Sequence, residues 1–457
     1  MVKIVLIGAG SAAFSAVLLK DIALMPGLKG CTLTLMDIDE GRLNVAYTLV
    51  QRVSRELGAN LNITTTTDRR KALEGADYVI TAVKVGGYEG LEQERAISEE
   101  HGYYRGFGDR VCDYYGGIGA YHQIKFMCDI AKDMLEICPN AWLVQTSNPV
   151  LESTNYILRH TDIKAVGVCH GHIGYRHIAT KLGLDLSRVS AKVYGFNHYN
   201  FLSSFLYDGK DAYPLIDEWI EKHSEDYWES DEYNNLSGIH APDFFSPGAI
   251  EMYKLYGLMP ISDSIRAASP WWHHIDLQTK EKWYGPGGGF DSEIGWNKYF
   301  GFREMIGGKI VEILATDASL MEAYAEFGQA DTIEEHIPFI DSLTNDNDRI
   351  LTLNVLNNGS IPGLPDDILV EIHVRCNGNG ISNVSMGKLP PKIMNNIIFP
   401  RLTRAENIMD AYARRDRSVL YLMLAEDQRT KSFEQAKVVI DKILSMPWNT
   451  DANEHYQ

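Results

Sequence analysis

The first 24 residues constrain the fold most. Val2–Ile7 is an apolar run of strand type and Ser11–Leu24 carries helical periodicity. Between them Gly8, Gly10 and Ala13 stand in a G-x-G-x-x-A spacing. A strand that turns into a helix over three residues opens a β-α unit, and the units that follow repeat it. Cys31–Met36 reads as a second strand, with a helix from about Gly41 to Leu57 behind it. Tyr78–Val83, Trp142–Thr146 and Lys164–Val168 read as further buried strands, and the helix Ala120–Cys138 lies between the first two of these. Strands separated by helices predict an α/β chain whose N-terminal half is a Rossmann-type, doubly wound parallel sheet.

The texture changes near Val189. A strand at 189–196 leads into an aromatic, irregular stretch that runs to about 300. Tight turns follow at N-G-N-G (377–380) and L-P-P (389–391), then helices at about 397–415, 417–426 and 431–445. This predicts two closely packed domains, 1–190 for a nucleotide and 191–457 of α+β type. Forty-three Lys and Arg against 61 Asp and Glu give a net charge of −18. A surface that acidic argues against nucleic acid or anionic membrane as the main partner. Six cysteines without a C-x-x-C pair read as free thiols. With no signal-like start and no run of membrane-span length, the cytoplasm is the expected compartment.

Gly8 permits the tight turn, Gly10 the close approach of backbone to a pyrophosphate, and Ala13 the helix–strand contact. Ser11 opens the helix whose N-terminus would face the phosphates. Asp37 ends the second strand, where an acid binds adenine-ribose hydroxyls and repels a 2′-phosphate, so the expected cofactor is NAD. A glycine turn in a nucleotide-free α/β protein is the plain alternative.

Cys169 follows the strand 164–168 and His198 follows the strand 189–196. If those strands end on one side, a thiolate and an imidazole share a crevice and form a two-ligand metal site with positions left for substrate. Each residue taken singly also reads as an ordinary core group. Asn148, in S-N-P-V, is either a substrate contact or a turn former. Asp263 and Arg266, three apart in S-D-S-I-R, are either site residues or a surface ion pair, and Asp113 in C-D-Y-Y-G-G-I-G is equally open.

Together these residues resemble glycoside hydrolase family 4, whose NAD-dependent members stand outside the usual two-carboxylate mechanism. The resemblance runs through G-A-G-S, R-A-I-S-E-E-H-G (95–102), S-N-P-V, V-G-V-C-H-G-H (166–172) and G-F-N-H (195–198). It continues in residues 256–266, W-Y-G (283–285) and G-I-S-N-V-S-M-G-K-L-P (380–390). It implies a redox-neutral elimination: NAD+ takes hydride from C3 of the sugar, and a divalent ion, usually Mn2+, polarises the ketone. The acidified C2 proton is then removed, the C1 substituent leaves, water adds and the hydride returns.

The resemblance further implies Cys169 and His198 as metal ligands, Asn148 as a substrate contact and Arg266 as a sugar-orienting group. His170 would be the acid for the leaving oxygen and Asp263 the C2 base, with Asp113 as a further catalytic candidate. The C-H-G-H run with S-D-S-I-R looks most like the α-glucosidase and α-glucuronidase branch. A non-phosphorylated α-glucoside is therefore expected first, and an α-glucuronide or α-galactoside next. The same resemblance implies that 191–457 is a catalytic and oligomerisation unit of the lactate/malate-dehydrogenase-like type, in a homodimer or homotetramer. The competing classes are a 2-hydroxy-acid dehydrogenase, which lacks its G-x-H-G-D-type histidine here, and a non-catalytic NAD sensor.

Overall fold

The computed structural model describes residues 2–87, 89–104, 118–234, 243–326 and 334–457. Six strands build the N-terminal half: β1 (Lys3–Ile7), β2 (Thr32–Met36), β3 (Asn62–Thr66), β4 (Tyr78–Thr81), β5 (Trp142–Gln145) and β6 (Lys164–Gly167). They pair in parallel in the order β3-β2-β1-β4-β5-β6. This is the doubly wound order, with its switch point between β1 and β4. The parallel sheet expected from the sequence is thus present, and its apolar strands begin and end within two residues of expectation. β3 escaped because N-I-T-T-T is a largely exposed edge strand without an apolar run.

Alternation along each strand supplies both faces of the sheet. Ile4 and Leu6 pack into one core with Leu19, Leu33 and Leu43, while Val5 and Ile7 enter another with Met127, Ile130 and Met134. The helix Glu40–Glu56 starts where the Asp39 side chain accepts the Arg42 amide. It buries Leu43, Ala46, Leu49, Val50 and Val53 on one stripe.

Seven more strands continue the same sheet past residue 190: β7 (Val189–Phe196), β8 (Tyr199–Tyr207), β9 (Lys210–Asp211), β10 (Pro260–Ile261), β11 (Arg349–Leu356), β12 (Leu369–Asn377) and β13 (Gly380–Asn383). Beyond β6 the order is β11-β12-β7-β8-β10, every step antiparallel. Three antiparallel steps separate β6 from β7, so these two strands run in opposite directions. Their ends still meet, because the second half is staggered. β11 joins β6 through Asn354 opposite Gly167, the last residue of β6, and β12 joins β7 through Glu371 opposite Gly195, near the end of β7. Gly167 and Gly195, two and three residues before Cys169 and His198, therefore fall on one cross-strand row by register rather than by parallel strand direction. Among the described residues no helix is long and apolar enough to cross a membrane.

Candidate active site

Gly8 has φ 88°, and a side chain there would collide with the Ala82 backbone at 2.7 Å and with Val83. Its N–H and that of Ala9 both donate to Met36 O, at 2.9 and 3.1 Å, which draws the turn against the end of β2. There Asp37 Oδ2 accepts the Gly10 amide at 2.9 Å, and a Cβ on Gly10 would lie 2.7 Å from that oxygen. The helix Ala12–Leu24 starts without a side-chain cap from Ser11. Ser11 Oγ instead accepts from Arg303 at 3.3 Å. That guanidinium, nearly three hundred residues away in sequence, was not anticipated. Arg42 stands 3.9 Å from Asp37. A tight turn without room for side chains, an uncapped helix start and an acid at the second strand fit a dinucleotide.

The end of β4 connects this turn to Asn148, since the Val83 amide donates to Ser147 Oγ at 2.9 Å. Asn148 Oδ1 is buried with no hydrogen bond among the described residues, and Asn148 lines a small recess that His198 and Tyr199 also border. A substrate or cofactor donor would satisfy that oxygen.

Cys169 leaves β6 two residues after Gly167. Its carbonyl accepts from His172 Nδ1 at 3.0 Å. Gly171 packs directly on Ser262, and a Cβ on it would stand 3.6 Å from Cys169 Sγ, so the thiol adjoins the segment that carries Asp263. His198 occupies the second position of the two-residue turn between β7 and β8, at φ 63°. Its Nδ1 donates to Asp263 Oδ2 at 2.7 Å, and Asp263 Oδ1 receives the Arg266 guanidinium. That guanidinium also lies 4.9 Å from the Phe290 ring centroid and 4.0 Å from Asp291.

Burial pushes the Cys169 thiol well above its usual value, and Glu371, Asp263 and Glu334 push it further, with the Gly171 amide opposing. Burial would raise Asp263 too, but Arg266 and His198 hold it well below the carboxylate range. Glu334 Oε1 accepts from His170 Nδ1 at 2.9 Å and lifts that imidazole to about 9 against the opposing effect of burial. A thiol and an imidazole surrounded by three carboxylates form a donor set that a divalent cation completes. Among the described residues no three His, Cys, Asp or Glu side chains are grouped to hold an ion unaided.

Of the residues taken from the sequence, Cys169, His170, His198, Asp263 and Arg266 converge, while Gly8, Gly10, Ser11 and Asp37 assemble separately at the switch point. Asp113 and Cys112 lie outside the described residues. The surface ion pair considered for Asp263 and Arg266 is not found: Arg266 is buried and the pair forms part of the site. Glu334 and Glu371 carried no local signal, because neither sits at a motif or at a telling distance from one.

Comparisons with known proteins place the chain in a family. Residues 3–184 match the family model described as family 4 glycosyl hydrolase, and residues 193–430 match its C-terminal domain. A probable 6-phospho-beta-glucosidase of Bacillus subtilis (strain 168) is 27% identical over 97% of this chain and 95% of its own. An alpha-galacturonidase of Thermoanaerobacterium saccharolyticum is 24% identical over 97% and 95%. The solved 6-phospho-beta glucosidase of Thermotoga maritima, with manganese, NAD+ and glucose-6-phosphate, superposes with a TM-score of 0.72 at 20% identity. That superposition covers 100% of this chain and 99% of the other. With both halves of the family matched in order over nearly all of its length, the chain belongs to family 4 of the glycosyl hydrolases and is a glycosidase.

Proposed function

We propose that the chain is an NAD+- and divalent-metal-dependent α-glycosidase acting on non-phosphorylated α-glucosides. The observation that carries the reading is the convergence of Cys169 and His198 at the end of a sheet whose switch point holds the Gly8–Gly10–Asp37 turn. When bound, NAD+ would accept and return a sugar hydride while a divalent ion would polarise the oxidised carbon's oxygen. NAD+ and manganese in the Thermotoga relative support that pairing.

The chain's own groups have distinct tasks. Cys169 Sγ and the His198 ring hold the ion. Gly8, Gly10, Ser11 and Ala13 seat the pyrophosphate, and Asp37 meets the ribose. Asn148 Oδ1 accepts from a sugar hydroxyl. His170, tied to Glu334, delivers a proton to the leaving oxygen. Asp263 was expected to take the C2 proton, but its oxygens are engaged by His198 and Arg266, an arrangement that favours fixing the imidazole over accepting a proton.

An α-glucuronide is the second reading. A buried guanidinium at the site could meet a sugar carboxylate bidentately, and the alpha-galacturonidase relative supports it. The engagement of Arg266 by Asp263 keeps the glucoside first.

The test is release of p-nitrophenol from α-glucoside, α-glucuronide and α-galactoside, with NAD+ and Mn2+ added together, singly or not at all. Release from the α-glucoside only when both are present is expected. Faster release from the α-glucuronide would transfer the reading to that sugar, and release without NAD+ would sink the mechanism.

A further inference from the structure

We propose that Glu371 is a positioning residue for the metal pair. Its carboxylate lies in a cross-strand row between the strand ends that carry Cys169 and His198, and it clamps the His198 turn from below. The inference rests on the metal reading of those two residues.

The row is set by register. Gly167 pairs with Asn354, Asn354 with Glu371, Glu371 with Gly195, and Gly195 with Asn200. It starts two residues before Cys169 and ends two residues after His198. Glu371 is fully buried. Its Oε2 accepts from Asn197 Nδ2 at 2.9 Å and from Asn354 Nδ2 at 3.0 Å, and its Oε1 accepts from Asn200 Nδ2 at 2.7 Å. Two of the three amides therefore flank His198 in sequence, Asn197 within the turn and Asn200 just after it. Ser264 adds a backbone anchor, since its Oγ accepts the Asn200 amide at 2.6 Å and donates to His198 O at 3.2 Å.

Two features indicate that this arrangement serves the site rather than stability. His198 is held at φ 63°, a region that disfavours residues with a Cβ, and such strain persists only where the surroundings enforce it. The clamp is also costly. It buries a carboxylate, and Asn200 and Asn354 each leave Oδ1 buried without a hydrogen bond among the described residues. An apolar row would fold with less penalty. It would not hold the turn from both flanks.

Glu371→Gln is nearly isosteric, but its amide can accept on one oxygen only and would set a donor against an asparagine donor. Mn2+ binding is read by the EPR signal of the free ion, and NAD+ binding separately by calorimetry. Wild type is expected to bind both. Glu371→Gln and Asn197→Ala are expected to lose about 10–100-fold in Mn2+ affinity with NAD+ affinity unchanged. Asn354→Ala removes a donor from the same carboxylate without touching the turn, and should keep Mn2+ affinity within about threefold of wild type even where its Tm falls as far.

Equal Mn2+ loss in Asn354→Ala and Asn197→Ala, or unchanged Mn2+ binding in Glu371→Gln, would overturn the positioning role and leave the metal reading standing. If Glu371→Gln does not fold, the two asparagine variants decide. A wild-type protein that binds NAD+ but no Mn2+ would overturn the metal reading itself and the proposal with it.

Discussion

Asp263 holds two partners at once, and a carboxylate so engaged is a weak proton acceptor. Asp263→Asn is therefore expected to weaken Mn2+ binding about 10–100-fold while deuterium from D2O still enters C2 of the product, at a reduced rate. A variant with wild-type Mn2+ affinity and no deuterium at C2 would restore the base role. His198→Ala should abolish Mn2+ binding and turnover and leave NAD+ titrations unchanged; wild-type turnover would remove the metal pair. The site residues legible in the sequence share one property: each belongs to a local turn or strand end, as Gly8, Gly10, Asp37, Cys169 and His198 do. Glu334, Glu371 and Arg303 were invisible because their partners His170, Asn197 and Ser11 lie 164, 174 and 292 residues away.

At the next scale, elements far apart in sequence hold the site's supports. The helix Val150–His160 begins directly after Asn148-Pro149, and the helix Phe399–Arg414 docks against it through two ion pairs. Arg159 clasps Glu406 at 2.7 and 2.8 Å near the surface, and Arg401 meets Glu152 at 2.6 Å with both side chains buried. Removing one member of a buried pair strands the other's charge. Arg401→Met should cost about 3–5 kcal/mol in urea denaturation, and Glu152→Gln added to it should recover part of that loss. A cost below about 1 kcal/mol would mean that water already reaches the pair. The later helix was legible as 397–415 and the earlier one was not read from the sequence, and nothing in the periodicity of either announces that they meet. Helical period is written over 3.6 residues, whereas the choice of partner depends on a sum of distant contacts.

Across the whole molecule, an acid-side pH response is expected from the buried pair of Lys280 and Asp291, 2.6 Å apart. Burial would raise the Asp291 carboxyl, but Lys280 and Arg266 hold it well below the usual range. A carboxyl depressed on folding contributes stability above its unfolded value, near 4, and loses that contribution as pH falls through the folded value. Tm should therefore drop below about pH 4. Asp291→Asn should lower Tm at neutral pH by leaving Lys280 unpaired and should flatten the acid slope; an unchanged slope would exclude this pair as its source. The homodimer or homotetramer expected from the family resemblance stands as a proposal that sedimentation velocity decides.

From the chain alone one can read the parallel half, the glycine turn, Asp37 at its strand and the two residues proposed as ligands, because β-α units and tight turns are set by neighbours within a few residues. Tertiary structure decided how the two ligands meet. The sequence left that to the direction of two strands, and the strands prove antiparallel. Gly167 and Gly195 share a row because β11 and β12 are inserted between β6 and β7 with a stagger set at Asn354–Gly167 and Glu371–Gly195, and Gly171 against Ser262 brings the Cys169 segment to the one whose Asp263 holds His198. Register of that kind is a long-range packing outcome, fixed by which faces are buried and which polar groups find partners, and it leaves no periodic trace along the chain.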